Sequence, residues 1–196
     1  MNWPKIGFVA LILFGALNWW SGRGVSLPPG VTAGGLPMQV SVSDEREFER
    51  NGYRIRALAR FEVSARVLGA EHYRFDREAQ LAPVDLALGW GRMSDTTVLQ
   101  RISISQRGRF YYWSTADFPI PRREIETSSA NMHMIPADDR VEAALKSVRP
   151  GQIVTVRGYL VEARAPDGWR WRSSMTREDT GAGACELIWV ESVSMI

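Results

Sequence analysis

The stretch that decides the fold runs from Tyr53 to Val67, YRIRALARFEVSARV. Every odd position is apolar (Tyr53, Ile55, Ala57, Ala59, Phe61, Val63, Ala65, Val67), and most even positions are Arg, Glu or Ser. Side chains on a strand alternate between faces with a period of two, so this is the pattern of a strand buried on one side. Strands usually span about five or six residues. A run this long must either bend from one sheet to another or pass through a bulge. Such a strand suits a small barrel or a sandwich.

Working outward, extended segments are predicted at 84–90, 98–106, 110–113, 153–163, 169–174 and 184–193, each bounded by Gly, Pro, Asp or Asn. One short helix is expected from Asp138 to Val148, where an acidic start supplies the cap and Val141, Ala144, Leu145 and Val148 recur at helical spacing; Pro150-Gly151 ends it. A helix leading into the strand from Ile153, then a Pro166-Asp167-Gly168 turn and two more strands, suggests a five-stranded OB-like barrel. The expected class is mainly β, a single small barrel or sandwich with one short helix.

The chain starts differently. Ile6 to Trp20, IGFVALILFGALNWW, carries no charge and has Trp3 before it and Trp19-Trp20 at its end, where aromatic rings favour a membrane interface. Read as a helix from Trp3, it is about 27 Å long, just short of a bilayer core of roughly 30 Å. A cleaved signal peptide is the rival reading, but Val31-Thr32-Ala33 lies far beyond the apolar run for a cleavage site. The division expected is a transmembrane signal-anchor at 1–20, a Gly/Pro-rich linker at 21–37 and a β-rich soluble domain at 38–196. Lys5 and the terminal amine outweigh Arg23, which places the start in the cytoplasm and the domain in the periplasm, with a single pass through a bacterial inner membrane.

Composition points to an ordinary folded domain, with 45% hydrophobic and 23% charged residues. The net charge is +2, and setting aside Lys5 and Arg23, which flank the apolar run, leaves a neutral domain. A neutral domain lacks the field that drives association with a phosphate backbone, so nucleic-acid binding is disfavoured. Cys185 is the sole cysteine, so neither an internal disulfide nor a paired-cysteine zinc site can form. No cofactor is expected.

Three segments carry a resemblance: HYRFDREAQLAPVDLALGWGRMSD from His72, SSANMHMIPADDRV from Ser128 and WRWRSSMTREDTGAGACELIWVES from Trp169. Together they resemble an uncharacterised family of bacterial proteins that are membrane-anchored or exported. The resemblance implies an envelope location and no particular activity.

Candidate chemistry centres on His133, in a stretch without regular pattern, because irregular segments often carry function. Ser129, Ser174 or Cys185 as nucleophile, with Asp179 as orienting group, would complete a hydrolase triad with His133. No nucleophile-elbow motif supports it. Cys185 shares a strand face with Leu187 and Trp189, as a core residue would. His72, Asp76 and Asp85 could join His133 around a metal, but the spacing matches no ligand motif, and no metal is expected. The 176–183 loop reads as a turn. Trp169 and Trp171 fall on one strand face and Arg170 and Arg172 on the other, so the two rings either pack inward or stack on a ligand. The leading expectation is a membrane-tethered envelope binding or assembly module with a protein partner, and whether it is also an enzyme is open. The alternatives are a hydrolase centred on His133 and an OB-like binder of single-stranded nucleic acid or oligosaccharide through Trp169 and Trp171.

Overall fold

The computed structural model describes residues 24–176 and 185–196. The apolar start, expected as a membrane helix, and Asp179 with its loop lie outside the described residues. Among those described, no helix is long and apolar enough to cross a membrane. The fold is mainly β. Its elements are β1 (Met38–Ser41), β2 (Glu47–Arg50), β3 (Tyr53–His72), β4 (Val84–Gly89), α1 (Thr96–Leu99), β5 (Ser103–Arg107), β6 (Phe110–Ser114), α2 (Arg122–Thr127), β7 (Ser129–Pro136), α3 (Asp139–Ser147), β8 (Ile153–Arg164), β9 (Arg170–Arg172) and β10 (Glu186–Met195).

The long alternating run is one strand, β3, and it passes through bulges. Its register slips between Ala57 and Ala59 and again between Val67 and Gly69. Its first part pairs with β8 and its last part with β4. From β4 the ladder continues to β7, then to β10 in parallel, then to β8. Because β8 also pairs with β3, these five strands hydrogen-bond in a closed circuit. The strands β1 and β2 add to the side of β3, β9 adds to β8, and β5 and β6 form a separate hairpin.

The first bulge moves the apolar set from one face of the sheet to the other. Tyr53, Ile55 and Ala57 pack with Val161, Ala163, Leu187 and Trp189, whereas Ala59 to Val67 pack with Leu86, Met132, Met134, Val156 and Ile188. The second cluster lies within the circuit, and α3 covers it with Val141, Leu145 and Val148. The Asp138 side chain caps α3 by accepting from the Val141 amide at 2.7 Å. A third cluster, with Met93, Ile102, Ile120 and Ile125, lies beneath Ile104 and Trp113 of the hairpin.

Two departures from the sequence reading have physical causes. The segment expected as a strand at 98–106 is split, because Asp95 accepts from the Thr97 amide at 2.8 Å and starts α1 before β5 can begin. The stretch around His133, read as irregular, is β7, buried on both faces, so it shows no alternation. Residues 25–33 run hydrogen-bonded along the domain: Val25 donates to Pro150 O at 2.7 Å, Gly30 to Asp95 Oδ1 at 3.0 Å, and Thr32 and Ala33 to the buried Ser94 hydroxyl.

Closure depends on close approach at Gly158. It stands opposite Phe61 in the register, and β10 has its own bulge between Val190 and Ser192. A Cβ at Gly158 would run into the Trp189 carbonyl. Gly158→Ala is therefore expected to lower unfolding free energy by about 2 to 3 kcal/mol, measured by urea denaturation. An unshifted midpoint would mean that the β8–β10 contact relaxes freely.

Candidate functional site

The outward face of β4 and β7 carries Asp85, Ser129, Asn131 and His133, because the alternate residues Leu86, Met132 and Met134 fill the enclosed core. The β5–β6 hairpin roofs this face, so all four polar residues are buried. The roof is positioned by a two-residue turn in which Gly108 and Arg109 both have positive φ, 59° and 70°. This conformation matches the right-handed twist of a hairpin but is unfavourable for a side chain as large as Arg.

Arg109 is held there by what it reaches. Its guanidinium lies 3.0 Å from Asp85 Oδ1 and 2.7 Å from Asp76 Oδ1, donates to Ala82 O at 2.8 Å, and stacks on the Tyr73 ring with 3.6 Å to the centroid. Its backbone amide donates to the Tyr73 hydroxyl at 3.1 Å, and its carbonyl accepts from Asn131 at 3.0 Å. Burial, reinforced by the Asp85 charge, pushes the Tyr73 phenol up to about 12, so it stays neutral. Gln106 on β5 donates to Asn131 Oδ1 at 2.7 Å. The carboxylate of Asp85, wholly buried, thus faces Arg109, His133 Nδ1 at 2.9 Å and Asn131 Nδ2 at 3.4 Å. The His133 nitrogen is close but poorly aligned for a hydrogen bond. The Trp171 ring covers the imidazole at 4.7 Å between centroids.

Two of the expected nucleophiles, Ser129 and Ser174, are engaged elsewhere. Ser129 and His133 share a strand face four residues apart, about 13 Å at strand rise, with Asn131 between them. The Ser129 hydroxyl donates to Ile125 O at 2.7 Å and lies 2.8 Å from the Tyr111 hydroxyl. Ser174 is turned into its own loop, bonding Thr176 O at 2.9 Å. Cys185 does come to the cluster, with its sulfur 3.9 Å from Arg109 O. Burial, then the charges of Glu186 and Asp85, push its thiol up to about 11, so it is not a thiolate at neutral pH. Of the metal candidates, Asp76 and Asp85 converge, but on the Arg109 cation, and no group of three ligating side chains occurs among the described residues. His72 pairs with Val84 on the other face of β4 from Asp85.

Trp169 and Trp171 share a face, as expected from the alternation, and both are half-buried in the cluster with Tyr53 and Ile135. Trp169 meets Tyr53 edge-on at 5.4 Å and carries the Arg77 guanidinium at 4.9 Å. Arg109, Asn131 and Gln106 were not singled out from sequence. The one available signal was the Arg107-Gly108-Arg109 turn between two strand patterns, which places Arg109 at a hairpin tip without saying what lies beneath it.

No protein-family model, curated protein or solved structure matches the chain.

Arg109→Ala should cost about 3 kcal/mol, because it leaves the Asp85 carboxylate buried without its cation. Adding Asp85→Asn should recover part of that loss in a denaturation double-mutant cycle, and purely additive effects would dissolve the proposed pair. Cys185 should react slowly with iodoacetamide near neutral pH, and its rate should rise about tenfold per pH unit toward a pKa of about 11. A rate already at its plateau near neutral pH would contradict the buried thiol.

Proposed function

We propose that the chain is a non-enzymatic binding or assembly module held at the bacterial cell envelope, built on an OB-like barrel. Counted along the five circuit strands, neighbours run first, second, third, fifth, fourth and back to first, with α3 between third and fourth. That is the Greek-key order of an OB barrel. In such barrels the face of the second and third strands receives ligands; in this chain those strands are β4 and β7.

The observation that carries the reading is Arg109. It seals that face from within the chain and satisfies Asp85 and Asp76, while the Ser129 hydroxyl is engaged by Ile125 O and burial holds the Cys185 thiol protonated. Recognition then passes to the outer side of the hairpin. Phe110 and Tyr112 stand there 38% and 48% exposed, 6.5 Å apart. Aromatic residues grouped on an exposed face are characteristic of protein interfaces.

Residues 3–20 serve as a single-pass anchor in the inner membrane, with the domain in the periplasm and a protein partner in the envelope. The hydrogen bonds along 25–33 support a close seat on the bilayer, since only four residues separate Trp20 from the pinned Val25. The domain's charge balance weighs against nucleic acid.

Cross-linking in intact membranes, using the full chain, should capture a defined protein, and Phe110→Thr with Tyr112→Thr should abolish that capture while leaving the fold intact. Capture of nothing specific, or the same capture by the double variant, would falsify the reading.

A further inference from the structure

The ribbon formed by β3, β8 and β9 has two unlike faces. In register across the three strands, Arg56, Glu162 and Arg172 form one row, and Arg54, Arg164 and Arg170 the next. Directly opposed residues project to the same side, so five arginines and one glutamate share a face. The intervening row of Ile55, Ala163 and Trp171 belongs to the apolar cluster behind.

Glu162 organises the arginines. Its carboxylate has no exposed surface and accepts from Arg164 Nε at 2.6 Å, Arg170 Nη2 at 2.5 Å and Arg172 Nη1 at 2.9 Å, with Arg56 Nη2 at 3.8 Å. Burial opposes its charge, but the hydrogen bonds from Arg172, Arg164 and Arg170 prevail and hold the carboxyl at about 2. Each guanidinium offers five N–H donors and gives no more than one to Glu162. The four side chains remain 42% to 58% exposed. Beyond β3, the same face continues on β2 as Glu47 and Glu49, opposite Arg56 and Arg54. The charge is therefore divided, acidic at β2 and strongly basic at β8 and β9.

We propose that this arginine face is a docking surface for an acidic, extended segment of a partner protein. The proposal rests on the binding-module reading and adds the chemistry of the partner. Arginines two apart along a strand are spaced roughly 6.6 Å, the repeat of alternate side chains on an extended peptide. Carboxylates on such a peptide meet guanidinium forks already splayed around a carboxylate. Single-stranded nucleic acid fits less well, because its bases need stacking platforms and both tryptophans lie on the opposite side. The anchoring bilayer fits less well too. Residues 24–25 enter beside Pro150, before the start of β8, while Glu162 lies nine residues along it, up to about 30 Å away.

The test uses the full chain in non-ionic detergent and a fluorescein-labelled decapeptide of alternating Glu and Thr, read by anisotropy. Saturable, salt-sensitive binding is expected. Arg164→Gln with Arg170→Gln should weaken it by about tenfold, taking exposed ion pairs at their usual strength. Arg54→Gln makes no contact with Glu162, so it tests charge without disturbing the buried carboxylate, and it should weaken binding severalfold. Glu47→Gln with Glu49→Gln removes the opposing charge beside these rows without touching the array and should tighten binding, which a misfolded variant would not do. Equal binding of an alternating Lys/Thr peptide, insensitivity to these arginines, or tighter binding of oligo-dT or phosphatidylglycerol vesicles would overturn the proposal. Absence of peptide binding, with partner capture still lost on changing Phe110 and Tyr112, would overturn the proposal and leave the module reading in place.

Discussion

The rest of the structure depends on β3 hydrogen-bonding along both of its edges, to β8 on one and to β4 on the other. Its 20 residues pair with β8 over the first part and with β4 over the last. A strand this long cannot stay flat. The bulge at Leu58 turns its apolar side chains from the outer cluster to the enclosed core, and the one at Leu68 directs it onto β4. Without those two irregularities the odd-numbered apolar residues would all lie on one side of an open sheet. The circuit through β7, β10 and β8 would then lose its first member. Burial of Phe61, Val63 and Val67 against Leu86, Met134 and Val156 makes closure favourable.

Closure produces a second problem, because a strand with both faces buried has no water to satisfy its polar side chains. On β4 and β7 the chain places an aspartate, an asparagine, a histidine and a serine facing outward, then covers them. A buried carboxylate without a cation is costly, and a buried pair is tolerated only when its remaining hydrogen bonds are made. Arg109 supplies the cation, while Asn131 and Gln106 link β7 to the hairpin. The unfavourable backbone at Arg109 is consistent with this arrangement. Glycine would fit the turn with less strain but could not reach Asp85.

Much of this was legible in the sequence, and the limits are instructive. Alternation located β3 and called for a bend or a bulge, because a period of two is visible wherever one face is wet, while bounding turn residues marked β4, β6, β8 and β10. The helix was legible from Asp138 to Val148 through its cap and its apolar spacing. Alternation could not locate β7, where Ser129 to Pro136 are buried on both sides and the period vanishes. It also missed β1 and β2, four residues each, too short to show a period. The polar cluster was half legible. His133 and Cys185 were singled out and do approach the same place, but Arg109 lies 24 positions from His133, and only the cross-strand register brings them together. Ser129 was drawn into the candidate triad by proximity in sequence, which on a strand means separation in space.

The two buried carboxylates show how the same chemistry yields opposite surfaces. Asp85 lies between β-sheet and hairpin, and its arginine is 14% exposed, so the charge pair is consumed internally. Glu162 lies on the open ribbon and gathers four arginines around one negative charge, which leaves an excess of cation at the surface. The difference lies in stoichiometry and cover. Where one arginine faces two carboxylates, Asp76 and Asp85, the cluster is closed and cements the fold. Where four arginines face one carboxylate, that carboxylate holds the forks apart in a fixed array, and most of their donors are not used by it. A lysine array would behave differently, because flexible ammonium groups are neither planar nor held in register by a single shared acceptor. The chain has 22 arginines and 2 lysines. On this ribbon the arginine geometry, more than the charge alone, makes an ordered basic face possible on a domain whose charges otherwise balance.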